Sequence, residues 1–219
     1  MRLRDRLGLS DRRERQLARA MQVTLVGLVF IGIDRRNLGI VVNAAIALGA
    51  TTLPATLERD YQIPMDAGLT LWLTAAVFLH ALGTVGVPGT DTSFYASVPW
   101  WDHLTHTLSS SVVAGVGYAT ARAFELHSDS VSLPSRFMFV FILLFVVAFG
   151  VFWEVIEFAV TEVATALGTA SVLTQYGLAD TMLDLVFDTL GGVIVAVWGT
   201  AHLTDVAGAL SAHLRRMRS

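Results

Sequence analysis

Long apolar runs separated by short polar segments organise this chain. Six runs stand out, roughly Gln22–Ile33, Leu38–Leu57, Ala67–Val87, Asp102–Phe124, Phe137–Ala164 and Asp180–Leu203. Several reach the roughly 20 residues that a helix needs to cross a bilayer core. The first is short, and the stem of Arg19 lengthens it by snorkelling. Turn signals separate the runs: Ile63-Pro64, Val87-Pro88-Gly89, Val98-Pro99 and Leu133-Pro134. The pattern predicts an all-α fold, a polytopic transmembrane helical bundle of about six spans.

Composition sharpens this reading. Only 15% of residues are charged and 54% are hydrophobic, with a mean hydropathy of +0.61. Soluble domains carry about 25% charged residues, and so apolar a chain could not cover a water-facing surface. A net charge of −3 argues against nucleic acid as a partner; the expected partner is the lipid bilayer. Cysteine is absent, which removes disulfides and thiolate metal ligands. No cleavable signal peptide is expected, because the N-terminal region is too long and too charged.

Arginine placement sets the orientation, since lysine is absent. Arg crowds residues 1–20, recurs at Arg59, Arg122 and Arg136, and ends the chain at Arg215, Arg216 and Arg218, whereas loops 88–101 and 165–179 have none. With six spans all these Arg-bearing segments fall on one side, the cytoplasmic one, with both termini. Arg35 and Arg36 are the single conflict. The expected organisation is an Arg-rich segment 1–20, a transmembrane domain 21–204 and a cytoplasmic tail 205–219, multi-pass in the plasma (inner) membrane. Leu3 and Leu7 share a helical face, which would suit a short interfacial helix, although a simple anchoring segment is the plainer reading.

The polar residues inside the runs are not scattered. Asp102, His103 and His106 open the fourth; Glu154 and Glu157 interrupt the fifth; Asp180, Asp184 and Asp188 form a stripe along the sixth; His80 lies near the end of the third. Spacings of three and four residues put each set on one helix face. At about 1.5 Å per residue, His106 and Asp184 lie about 6 Å below the outer face and Asp188 about 12 Å. The third and fifth runs bring His80, Glu154 and Glu157 to a similar level. Six carboxylates in a low-dielectric region need compensation, and no arginine lies in the middle of these spans. Protonation is one solution and a bound cation the other. The metal candidates are His80, Asp102, His106, Glu154, Glu157, Asp180, Asp184 and Asp188. Mixed carboxylate and imidazole ligands favour manganese, iron or zinc as the divalent ion.

Plainer roles compete at several positions. Asp102 and Asp180 sit where N-caps belong. His80 and His103 could serve neighbouring helices or interfacial water. Trp100, Trp101 and Trp153 suit an aromatic belt or packing, and Gly191-Gly192 and the Ser109–Ser111 run suit close helix contact. Glu154, Glu157 and Asp184 lack such explanations.

Three ordered segments carry a resemblance: Trp101-Asp102-His103-Leu104-Thr105-His106-Thr107, Glu154-Val155-Ile156-Glu157-Phe158 and Asp180-Thr181-Met182-Leu183-Asp184. They resemble the YjdF-like family of inner-membrane proteins of unknown function, whose motifs read Tyr-Asp-Arg-x-x-His-Phe, Glu-x-x-Glu-Trp and Asp-Thr-Gln-x-Asp. The likeness spans roughly residues 34–203 and includes Phe78-Leu79-His80-Ala81. His103, Thr107, Phe158 and Met182 depart from it, and none of these departures removes a candidate ligand. The stretch from Asp184 to Gly191 is also similar to the Asp-x-x-x-Asn-x-x-Gly helix of VanZ-like proteins, with Asp188 in place of Asn. The resemblance implies a fold and a site rather than a reaction.

Three functions fit. A metal-dependent enzyme acting on a lipid or cell-envelope substrate comes first, because ligands exceed the number a metal needs. A non-catalytic scaffold with a structural polar or metal site comes second. A cation- or proton-coupled transporter comes third, since the inner halves of the spans are apolar and inverted repeats are not evident.

Overall fold

A computed structural model describes residues 10–87, 89–90, 92–173, 175–199 and 203–217, with backbone alone at 198 and 199. The Leu3/Leu7 segment and His202 lie outside the described residues. Among the described residues the fold is all helical, with one isolated bridge between Gly86 and Ser93. They form two compact units.

The first unit contains α1 (Asp11–Asp34), α2 (Leu38–Ala50), most of α3 (Leu53–Tyr61), α4 (Ala67–Gly83) and the single turn α5 (Phe94–Ser97). Ser10 caps α1 by accepting the Arg13 N–H, and Asp11 and Glu14 place negative charge in the first turn, where the helix dipole favours it. Helix α1 therefore begins well before the expected Gln22, taking in the second half of the Arg-rich segment. It stops where Arg36 turns left-handed (φ 53°) and Asn37 caps α2 through the Ile40 N–H. The expected single run Leu38–Leu57 breaks at Thr51 and Thr52. Their hydroxyls donate to the carbonyls of Leu48 and Gly49, and Pro54 opens the next helix. Asp66 caps α4 by accepting the Leu69 N–H at 2.8 Å. Leu25, Leu28, Ile40, Ala44, Ala47, Ala81 and Val85 form the unit's core.

The second unit contains α6 (Trp101–His127), α7 (Ser135–Ala166), α8 (Leu178–Ile194) continued by a π-helical turn Val195–Gly199, and α9 (Thr204–Arg216). Helix α6 packs on α7, α8 and α9. Helices α6 and α8 run parallel, with α7 antiparallel between them in sequence. Their contact is close because Gly191 lacks a Cβ: one built there would strike the Ser110 hydroxyl and the Thr107 carbonyl. On α7 the buried positions Met138, Ile142, Val146, Gly150, Glu154 and Glu157 form a stripe of three- and four-residue steps that passes from apolar to acidic, and Ala164 is buried beyond it.

Asp11–Asp34, Leu38–Tyr61 and Ser135–Ala166 are long and apolar enough to cross a membrane, and Ala67–Gly83 is a shorter apolar helix. The run expected at Asp102–Phe124 is helical, and that at Asp180–Leu203 is helical as far as Gly199, but both fall outside that group. Polar residues account for the first, and three aspartates and an α-helix of only 17 residues for the second.

The end of α6 beyond Phe124 is fastened twice. Arg215 donates to the Leu126 carbonyl at 2.7 Å, satisfying a last-turn acceptor. Glu125 accepts the Leu133 N–H at 2.9 Å and pairs with Arg122. The Leu133 N–H first, and the Arg122 guanidinium second, hold the Glu125 carboxyl below the usual carboxylate range. A depressed pKa gives stability that is present above the unfolded value and lost as pH falls through the folded one. Thermal unfolding in detergent should therefore show wild type melting above Glu125→Gln at pH 7. The gap should close below about pH 4.

Candidate metal centre

Three helices of the second unit build the centre. Helix α6 supplies Asp102 and His106, one turn apart; α8 supplies Asp184 and Asp188, also one turn apart; α7 supplies Glu154 and Glu157 from the acidic end of its buried stripe. His106 is the hub. Its Nε2 lies 3.6 Å from Asp102 Oδ1 and 3.7 Å from Asp184 Oδ1, and its Nδ1 lies 3.2 Å from Asp188 Oδ1. With the proton on Nδ1, that N–H donates to Asp188, and Nε2 presents a lone pair between Asp102 and Asp184.

One ligand atom each from Asp102, His106 and Asp184 lie within 4.8 Å of one another. Nitrogen and oxygen ligands about 2.1 Å from a metal sit roughly 3.0–3.5 Å apart, so the two separations from Nε2 need to close only slightly around an ion. The separations from Nε2 are too long for hydrogen bonds. Asp184, only 2% exposed, has an Oδ1 without a hydrogen-bond partner, and so does the Oε1 of Glu154, 5% exposed. Buried oxygens of this kind are costly unless something occupies their lone pairs. Glu154 also lies within electrostatic reach of Asp102, Asp184 and Glu157.

The remaining candidates have other partners. Asp180 Oδ2 accepts the Tyr176 N–H at 3.1 Å, fastening the start of α8, whose N-cap Gly177 has no side chain to do so. Asp102 caps nothing; the N-cap of α6 is Trp100, without a side-chain cap bond. Glu157 Oε1 accepts the Trp153 indole N–H at 3.0 Å, a role for that tryptophan beyond packing. His80 belongs to the first unit, where its Nδ1 faces the Tyr95 hydroxyl at 2.9 Å. The His103 ring stacks on Phe187 with centroids 4.2 Å apart.

Several contributors were missed by sequence reasoning. Thr181 donates its hydroxyl to Glu154 Oε2 at 2.7 Å. Desolvation first, and then the charges of Asp102, Asp180 and Glu157, push the phenol of the loop residue Tyr176 above its usual range, although its side chain remains largely exposed. Gly150 leaves the space that the Asp188 carboxylate fills, since a Cβ there would overlap Asp188 Oδ2. Two of these had a signal: Gly150 lies on the four-residue stripe that leads to Glu154, and Thr181 lies in the Asp180–Asp184 segment that carries the family resemblance. Second-unit arginines belong elsewhere: Arg122 lies near the far end of α6, Arg136 in the first turn of α7, and Arg215 and Arg216 in the last turn of α9.

Comparison with known proteins agrees with this frame. The family described as "Predicted membrane protein (DUF2238)" matches residues 17–205, in keeping with the YjdF-like resemblance. An uncharacterized protein of Thermotoga maritima is 30% identical over 184 residues, covering 84% of this chain and 88% of that protein. No solved structure matches the chain.

Gly150→Ala should force Asp188 away from His106. The expected cost is about 1–3 kcal/mol of stability, as for other overpacked sites. Denaturant titration in detergent would measure it. Gly208→Ala on α9, where a Cβ meets nothing within 4 Å, should be neutral or stabilising.

Proposed function

We propose that this chain, which belongs to the DUF2238 family of predicted membrane proteins, is a multi-pass plasma-membrane metalloprotein whose divalent ion sits in the outer half of the bilayer. Asp102 and Asp184 bind the ion through carboxylate oxygens, His106 through Nε2, and Glu154 through Oε1. Asp188 is an orienting partner, holding the imidazole by Nδ1 as carboxylates commonly do behind metal-bound histidines. The observation that carries this reading is the pair of buried oxygens without hydrogen-bond partners, Asp184 Oδ1, which lies 3.7 Å from His106 Nε2, and Glu154 Oε1. Manganese, iron or zinc suits this ligand set. Asp180 and His80 remain outer candidates, the latter on its sequence position alone.

The activity we infer is hydrolysis or group transfer on a lipid or cell-envelope substrate. A bound ion would polarise a substrate oxygen or a water there. Glu157, steadied by Trp153, is the residue placed to take up a proton. A second reading, a structural polar network without catalysis, draws on the bonds that Thr181, Trp153 and Tyr176 already make to these acids.

Elemental mass spectrometry of the detergent-purified protein tests the first reading. Wild type should carry close to one transition metal per chain, and His106→Ala and Asp184→Asn should lose it. Wild type that stays empty after incubation with manganese, iron and zinc would sink the metal reading and leave the structural network.

A further inference from the structure

We propose that Thr181 is a positioning residue of the metal centre, and that with Gln175 it makes the end of the α7–α8 connection a working part of that site. The inference rests on the metal reading above. Gln175 Nε2 donates to Thr181 Oγ1 at 3.0 Å, and Thr181 Oγ1 lies 2.7 Å from Glu154 Oε2. A hydroxyl has one proton. An oxygen that accepts from the Gln175 amide and contacts a carboxylate therefore directs its own proton to that carboxylate. The chain runs one way, from amide N–H to hydroxyl to Glu154 Oε2.

This geometry sorts the two oxygens of Glu154. Oε2 is engaged by Thr181, whereas Oε1 is buried and without a hydrogen-bond partner. A carboxylate gripped at one oxygen presents the other in a fixed direction. Thr181 is also three residues before Asp184, so the two side chains share a face of α8. One helix face thus offers a ligand and, one turn earlier, the group that aims a ligand on α7.

The connection is fastened to both of its helices. Thr161 of α7 donates to the Leu173 carbonyl at 3.2 Å, and Ser171 donates to the same oxygen. At the other end the Tyr176 N–H goes to Asp180 and the Gln175 amide to Thr181. Displacement of Gln175 would remove the donor that orients the Thr181 hydroxyl, and Glu154 would lose its fixed direction. Metal affinity and the position of this connection are coupled through a single hydroxyl.

Manganese(II) titration of the detergent-purified, metal-stripped full chain, followed by electron paramagnetic resonance, tests the proposal. Thr181→Val keeps the shape and removes the donor; it should weaken manganese binding about tenfold, as loss of an outer-shell partner does, and change the spectrum of bound ion. Thr181→Ser restores the hydroxyl and should return affinity to within about twofold of wild type. Gln175→Leu should weaken binding several-fold and alter the spectrum in the same sense. If Thr181→Val matches wild type in affinity and spectrum, the positioning role is overturned and the metal reading stands. If wild type binds neither manganese nor zinc nor iron, both fall. Should Thr181→Val fail to fold, Gln175→Leu decides, and an unchanged affinity and spectrum there overturns the proposal.

Discussion

Carboxylates sunk among packed helices dominate the second unit. Asp184 and Asp188 on α8 and Glu154 and Glu157 on α7 are buried, on the same stripes that hold the helices together. The face that should exclude water is the face that carries charge. An ionised carboxylate in such a place costs several kcal/mol unless it is met by opposite charge and hydrogen bonds. His106 answers part of that demand by touching three aspartates. One imidazole cannot balance them all. The surrounding geometry follows from this constraint: the hydroxyl and indole donors on the glutamates, the space at Gly150, and the two buried oxygens left without hydrogen-bond partners.

Small residues make the constraint geometrically possible. Gly191 lets α6 and α8 approach until backbone and hydroxyl touch, and Gly150 does the same for α7 against Asp188. Acidic and imidazole side chains from three helices converge only if the helices stand this close. Packing and chemistry therefore depend on the same positions, and a methyl group added for stability would fall on the site.

Much of this was legible in the sequence. The apolar runs and their Pro and Gly punctuation indicated an all-helical membrane protein, and three- and four-residue spacings put Asp102 with His106, Glu154 with Glu157 and Asp184 with Asp188. Helix limits were less legible. The start of α1 depends on Ser10 and on charged residues that tolerate a helix, and the break at Thr51 depends on hydroxyls returning to carbonyls. Periodicity sees neither. Gln175 carries no signal of its own, and Thr181, although it falls in the Asp180–Asp184 segment, gains its role only when a carboxylate from another helix is found beside it. The different positions of Asp184 and Asp188 were equally hidden, since Asp184 faces Nε2 and Asp188 faces Nδ1 of the same imidazole.

Because α6 and α8 run parallel, both begin at the acidic cluster, and neither start is closed by a side-chain cap. Each start carries roughly half a positive charge from its aligned peptide dipoles. Two such ends form a fixed electropositive lining built from backbone alone, one that no substitution of side chains can remove. It lowers the cost of the first-turn acids, Asp102 and Asp180. Part of the compensation for buried charge is thereby written into the direction of the chain rather than into its side chains.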